Sequence, residues 1–317
     1  MGQAIALADG PRVAVILPCY NEEAAIASTI AAFRTALPHA DIYVYDNNSS
    51  DRTMAVAAAA GAMVRRERMQ GKGNVVRRMF ADVEADIYVM ADGDATYDAA
   101  AAPEMVRMLL HEQLDMVVGA RASEVDAAYR RGHRLGNMLL TGLLAQLFGR
   151  SFSDILSGYR VFSRRFVKSF PVLSAGFEIE TEISVHALEL RMPVAELVTA
   201  YAARPEGSIS KLSTYSDGWR ILRTIVRLFR IERPLSFFGI VGVLLAALAV
   251  LLAIPLVITY AQTGLVPRFP TAILITGLTM LAALSGFSGL ILDTVVRGRL
   301  EVRRLAYLAY PAPSAEE

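Results

Sequence analysis

Two long stretches without a single charged residue lie near the end of the chain, Ser236 to Thr259 and Phe269 to Leu292. An α-helix rises about 1.5 Å per residue and the hydrocarbon core of a bilayer is about 30 Å thick, so either stretch is long enough to span. Only Tyr260 to Arg268 separates them, which predicts a tight helical hairpin. The alternative, two helices buried in a soluble core, requires a fold able to cover both on every face. Everything before Arg233 has the charge density and punctuation of a folded soluble domain.

The arginines orient the hairpin. Arg220, Arg223, Arg227, Arg230 and Arg233 precede the first stretch, and Arg297, Arg299, Arg303 and Arg304 follow the second, whereas the connecting segment holds only Arg268. By the positive-inside rule both ends stay cytoplasmic. Met1 to Gly10 has no basic region ahead of an apolar core, so no cleaved leader is expected. A formal net charge of +1 hides this local asymmetry, which suits anionic lipid headgroups and argues against nucleic acid as the partner. The single cysteine, Cys19, excludes an intrachain disulfide and an all-cysteine metal site.

The first two hundred residues alternate short apolar runs with helical segments. Strands are expected at Val13–Leu17, Asp41–Tyr45, Met63–Arg66, Asp86–Met90 and Met116–Ala120, and helices at Ala24–Leu37, Arg52–Ala60 and Asn74–Val83. Such alternation predicts an α/β fold with a mostly parallel sheet. In such sheets ligands bind beyond the carboxyl ends of the strands, at the topological switch point. Three polar clusters fall there: Tyr20-Asn21-Glu22-Glu23, Asp46 to Asp51, and Asp92-Gly93-Asp94. Further on, a basic stretch from Tyr129 to Arg134, an amphipathic helix from Asn137 to Phe148, a loop from Pro205 to Ser213 and an interfacial helix from Asp217 to Arg230 are expected.

Asp92 and Asp94 flank a glycine at a strand end, an arrangement that can hold a hard cation such as Mg²⁺ or Mn²⁺ while leaving positions for substrate phosphates. Gly71-Lys72-Gly73, at a predicted helix start, offers backbone donors and a cation to phosphate oxygens, or else is an ordinary glycine turn. Asn21, Glu22 and Asp46 either cap helices or line one crevice. The four histidines, His39, His111, His133 and His186, are too scattered for a local ligand motif.

In this order, Pro18 to Glu23, Asp46 to Asp51, Gly71-Lys72-Gly73 and Asp92-Gly93-Asp94 resemble the family 2, A-type inverting glycosyltransferases. Asp154-Ile155-Leu156-Ser157-Gly158-Tyr159-Arg160 and Ser210-Lys211-Leu212 narrow the resemblance to polyprenyl-phosphate glycosyltransferases related to dolichyl-phosphate mannose synthase. The resemblance implies that Pro18, Tyr20, Glu22 and Asp46 surround the nucleotide base and ribose. It gives Asp92 and Asp94 to the metal and diphosphate, and Ser210 and Lys211 to the donor diphosphate, beside which Lys72 of the glycine–lysine–glycine segment is a further candidate for nucleotide binding. Arg121 and Arg134 become the acceptor-phosphate residues, and Asp154 a further active-site carboxylate. Where the family usually has Asp-Asp-Gly-Ser, this chain has Asp46-Asn47-Asn48-Ser49.

The expected reaction is transfer of a hexosyl group from a nucleotide diphosphate sugar to a polyprenyl phosphate, with inversion, at the cytoplasmic face of a prokaryotic plasma membrane. A uridine donor such as UDP-N-acetylhexosamine or UDP-glucose is favoured over GDP-mannose. A processive polysaccharide synthase or a noncatalytic scaffold are the weaker alternatives, and a second copy of the chain is a partner left open. The domain plan is a tail over 1–11, a catalytic domain over 12–204, and an acceptor and juxtamembrane region over 205–235. Two spans within 236–293 (236–259 and 269–292) and a cytoplasmic tail over 294–317 complete it.

Overall fold

The computed structural model describes residues 10–122, 142, 152–176, 178–202, 223 and 226–314. Arg134, Ser210 and Lys211 lie outside the described residues, as do the 129–134 segment, the 205–213 loop, and most of the helices expected over 137–148 and 217–230. The chain divides into two units, one formed by Met1–Trp219 with Arg303–Glu317, the other by Arg220–Val302.

The first unit is built on a seven-stranded sheet in the order β3-β2-β1-β4-β6-β5-β7. Its strands are β1 (Val13–Cys19), β2 (Asp41–Asp46), β3 (Met63–Arg66), β4 (Ile87–Met90), β5 (Met116–Arg121), β6 (Arg160–Ser163) and β7 (Val194–Thr199). Helices α1 (Ile26–Ala36), α2 (Thr53–Ala59), α3 (Lys72–Asp82) and α4 (Ala102–His111) follow β1 to β4 in turn, and α5 (Arg164–Ser169) and α6 (Ile179–Glu189) follow β6. The sheet is not parallel throughout, because β6 runs antiparallel to both β4 and β5. One core layer packs Val15, Leu17, Val44, Val89 and Val161 against Ile26, Ile30, Phe33, Met105 and Leu109 from α1 and α4.

Pro18 does not end β1; the strand runs through it to Cys19. The ladder of β1 with β4 stops at Ile16–Met90, whereas pairing with β2 continues to Cys19–Asp46. Asn47 N–H donates to the Cys19 carbonyl, which sets that residue's bonds toward β2 and those of Pro18 toward the side where β4 has already turned away. The proline's missing N–H therefore costs no ladder bond. The parting of β1 from β4 opens the crevice at the switch point.

In the second unit, residues 226–232 are helical, and α7 (Pro234–Thr263) and the part of α8 (Phe269–Leu308) up to Val302 form two long apolar helices. Both are long and apolar enough to cross a membrane. Small residues let them approach: a methyl group on Gly242 would lie 3.0 Å from the Ala282 carbonyl, and one on Gly289 would lie 3.1 Å from Phe238 Cβ. Ser285 Oγ donates to the Phe238 carbonyl at 2.8 Å. Close backbone approach and this hydroxyl cross-link hold the two helices together. Large apolar side chains such as Val243, Leu251, Phe287 and Ile291 remain exposed.

The last turns of α8, from Arg303 onward, belong to the first unit. Arg303 pairs with Glu189, and Tyr307 Oη donates to buried Asp115 at 2.9 Å. Much of the expected tail is therefore helical and engaged.

Candidate active site

Four carboxylates converge at the carboxyl edge of β1, β2 and β4. The buried Cys19 thiol reports them: burial pushes its pKa well up, and the charges of Glu22, Asp92, Asp46 and Asp94 push it further. Cys19 Sγ would lie only 2.4 Å from a methyl group on Gly93, so the Asp92-Gly93-Asp94 turn is seated directly on the end of β1. Asp94 is buried, and its Oδ1 accepts from Thr96 Oγ1 at 2.6 Å and from Thr96 N at 3.2 Å.

The loops after β1 and β2 are zipped together. Ser49 Oγ accepts from Asn21 N, Asn21 Oδ1 accepts from Ser50 N, and Thr53 Oγ1 accepts from Glu22 N, all at 2.8 Å. Asn21 adopts a φ of 52°, a left-handed conformation that asparagine tolerates better than most residues. Asp46 is buried; its Oδ2 accepts from Ser49 N, while its Oδ1 has no hydrogen-bond partner among the described residues. A buried acceptor left open beside a crevice fits a ligand donor. Tyr20 stands partly exposed at the same edge.

The Asn47-Asn48 departure from the family pattern has a local reason. Asn47 Nδ2 donates to the carbonyls of Glu67 and Met69, and its Oδ1 accepts from Gly71 N. Asn48 donates to the Arg68 carbonyl and accepts from Arg66 Nε. An amide supplies both donor and acceptor, which a carboxylate cannot.

Lys72 opens α3 and points into the crevice, its Nζ 2.5 Å from Asp92 Oδ1 and 2.6 Å from Glu180 Oε1. Burial lowers the ammonium's pKa, but Asp92 and Glu180 outweigh it and hold the pKa well above its usual value. The flanking glycines are obligatory for packing: a methyl group on Gly71 would lie 2.1 Å from the Ala175 carbonyl oxygen, and one on Gly73 would lie 2.0 Å from that of Ser174. The two glycines thus serve close packing against the 174–175 backbone, while Lys72 itself faces the carboxylates.

Arg121, at the end of β5, clasps Asp154 through Nε to Oδ2 at 2.6 Å and Nη2 to Oδ1 at 2.8 Å, and its guanidinium lies over the Tyr201 ring. The 154–158 turn is held from below by fully buried Arg160, which donates to the carbonyls of Ile155 and Ser157 and to Ser184 Oγ. Tyr97 Oη accepts from Gly158 N at 2.9 Å. A methyl group on Gly158 would lie 3.0 Å from Asp92 Oδ2 and 3.1 Å from Lys72 Nζ.

The structure therefore gathers Glu22, Asp46, Asp92 and Asp94 into one crevice, joins Lys72 to Asp92, and pairs Arg121 with Asp154. It adds Glu180, Tyr97, Gly158 and Tyr201. Gly158 carried a signal in the Asp154–Arg160 motif; Glu180 carried none, being one of three glutamates at alternate positions (Glu178, Glu180, Glu182). Among the described residues no group of three or more His, Cys, Asp or Glu side chains forms a ready metal cage.

An α/β sheet with acidic and lysine side chains converging on its switch point fits an A-type nucleotide-sugar fold. Residues 14–170 match the model of glycosyl transferase family 2. Glycosyltransferase AglJ of Haloferax volcanii is 36% identical over 232 residues, 73% of this chain and 76% of that protein. A dolichyl-phosphate hexose transferase from the same organism is 27% identical over 222 residues, 70% of this chain and 95% of its own length. A crystal structure of glucosyl-3-phosphoglycerate synthase from Mycobacterium tuberculosis, in complex with Mn²⁺, UDP-glucose and phosphoglyceric acid, matches with a TM-score of 0.55 and 26% identity, over 69% of this chain and 79% of that one. The chain belongs to glycosyl transferase family 2 and is a nucleotide-sugar-dependent glycosyltransferase.

Proposed function

We propose that this enzyme transfers a hexosyl group from a uridine diphosphate sugar to a polyprenyl phosphate at a cytoplasmic membrane face, with inversion. The observation that carries the reading is the union, in one chain, of a donor-type crevice with two helices whose large apolar side chains stand exposed. Such a surface is stable in a bilayer and a liability in water. The similarity to a protein named a dolichyl-phosphate hexose transferase supports a lipid phosphate as acceptor. Similarity to a synthase crystallised with UDP-glucose and Mn²⁺ supports the donor and the cation.

Asp46 Oδ1, the buried open acceptor, takes an N–H or O–H from the nucleoside, with Pro18, Tyr20 and Glu22 around it. Asp92 and Asp94 fit a divalent cation. Lys72 offsets only part of the negative charge that Asp92 and Glu180 bring to it, and the field at Cys19 is dominated by carboxylates. Bound there, Mg²⁺ or Mn²⁺ supplies charge neutralisation to the departing nucleotide diphosphate. The acceptor phosphate is already ionised near neutral pH, so its oxygen attacks the anomeric carbon without a general base. Asp154 spends both oxygens on Arg121, which suits a carboxylate that aims a guanidinium rather than one that removes a proton. Arg121 then receives the acceptor phosphate together with Arg134, and Ser210 and Lys211 complete the donor diphosphate site. Holding both reactants in line is the larger part of the catalysis.

The test is a purified full-chain assay with Mn²⁺ or Mg²⁺, labelled UDP-glucose, UDP-N-acetylhexosamines or GDP-mannose, and undecaprenyl phosphate or 3-phosphoglycerate. Label entering the lipid fraction from a uridine donor is expected. Label entering phosphoglycerate alone would overturn the lipid acceptor, and preference for GDP-mannose would overturn the base.

A further inference from the structure

The site contains a lysine shared between two carboxylates, only one of which has an assigned task. Lys72 Nζ contacts Asp92 Oδ1 and Glu180 Oε1 at nearly equal distances, and the Lys72 and Glu180 side chains are 10% and 7% exposed. Asp92 is different, its side chain 30% exposed, with Oδ2 facing the space that Gly158 leaves empty.

We propose that Glu180 is a positioning residue, a second berth for the Lys72 ammonium that lets Lys72 leave Asp92 when a divalent cation takes that carboxylate. The inference rests on the reading of Asp92 and Asp94 as the cation-holding pair. A lysine leaving Asp92 with no other partner would strand a buried ammonium, which is strongly unfavourable. Glu180 removes that penalty. An ammonium is a point charge with three rotatable donors, so it moves between two acceptors by side-chain torsion, with no backbone shift.

The backbone around Glu180 is built to hold still. The 174–175 segment packs against Gly71 and Gly73 at distances that leave no room for a methyl group. Glu182, two residues further on, accepts from Leu173 N at 2.8 Å and Ser174 N at 2.7 Å, and so ties that segment to α6. Arg160, through Ser184, fixes the same helix to the 154–158 turn. The start of α3 is therefore linked to the start of α6 by main-chain packing on the 174–175 segment and by the Glu182 side chain that ties that segment to α6.

A bystander carboxylate that merely adds negative charge would also favour a cation, so the test is a double-mutant cycle. Mn²⁺ affinity of the full chain in detergent is measured without nucleotide, by the loss of the free-ion paramagnetic resonance signal. The proteins are the wild type, Glu180→Gln, Lys72→Met and the double variant; Glu180→Met replaces Glu180→Gln if the latter fails to fold. Glu180→Gln should weaken Mn²⁺ binding about tenfold in the wild-type background and less than about threefold in the Lys72→Met background, because the effect travels through the lysine. An equal loss in both backgrounds overturns the assignment and leaves the Asp92–Asp94 reading standing. A wild type that binds no Mn²⁺ overturns both.

Discussion

Arg121 and Asp154 form a two-pronged ion pair in which both carboxylate oxygens are occupied, at 2.6 and 2.8 Å. The side chains are 15% and 9% exposed, so the pair lies mostly out of water and neither group is readily replaced by solvent. Asp154→Asn keeps the shape but removes the charge that holds the guanidinium. The expected outcome is a rise in the acceptor concentration needed for half-maximal rate, about tenfold, with UDP affinity unchanged, because the bidentate geometry is what aims Arg121. Initial-rate kinetics with varied undecaprenyl phosphate, beside UDP titration, check this; a loss of UDP affinity equal to the loss of rate would count against it.

Gly158 is a contact position. A methyl group there would press on Asp92 Oδ2 and Lys72 Nζ at about van der Waals limits or closer. Gly158→Ala should therefore cut turnover by roughly tenfold or more through a misplaced reacting pair, while melting within a few degrees of the wild type. Turnover together with calorimetry decides; an active variant would show that Asp92 and Lys72 can yield.

Asn47 is buried, and its side chain ties the loop after β2 to the 67–71 loop by donating twice and accepting once. Asn47→Asp restores the more usual family residue yet places a carboxylate against two carbonyl oxygens. It should destabilise the domain by roughly 2–4 kcal/mol, the cost of opposing buried acceptors. Denaturant unfolding in detergent measures it, and a neutral result would mean the 67–71 loop can turn its carbonyls away.

His186 gives the fold a pH dependence. Burial among Phe166 and Phe170, with Arg303 nearby, pushes its pKa down from 6.5 to about 3. The unfolded chain therefore binds a proton that the folded chain refuses. The stability tied to the neutral ring is complete above the ordinary value and drains away as the pH falls toward the folded one. By about pH 5 the loss amounts to about 2 kcal/mol. His186→Gln should flatten the melting temperature between about pH 7 and pH 5; an unchanged slope would place the acid sensitivity elsewhere.

What was legible in the sequence is what local pattern encodes. β3 runs over Met63–Arg66 as expected, and β1, β2, β4 and β5 keep their places within a residue or two, because short apolar runs between helical segments admit few other structures. Parallel strands deliver their following loops to one edge, so the strand pattern alone brings Glu22, Asp46, Asp92 and Asp94 to one cluster. The uncharged runs likewise sit inside α7 and α8, and α8 extends well past its run because arginines continue a helix as readily as leucines do.

Only the tertiary structure decided which distant side chains meet. β6 is four residues long and begins with Arg160, a poor advertisement for a buried strand, and it is reversed between β4 and β5. Its guanidinium is tolerated at zero exposure because the carbonyls of Ile155 and Ser157 and the hydroxyl of Ser184 close around it, and only the fold brings Ser184, on α6, to that place. Glu180 faces Lys72 across more than a hundred residues of chain, while Glu178 and Glu182 beside it do other things. Helical periodicity says that these three cannot share one direction; it cannot say which one looks into the crevice. That choice follows from how α6 lies against α3, and the contact of Gly71 and Gly73 with the 174–175 backbone sets it.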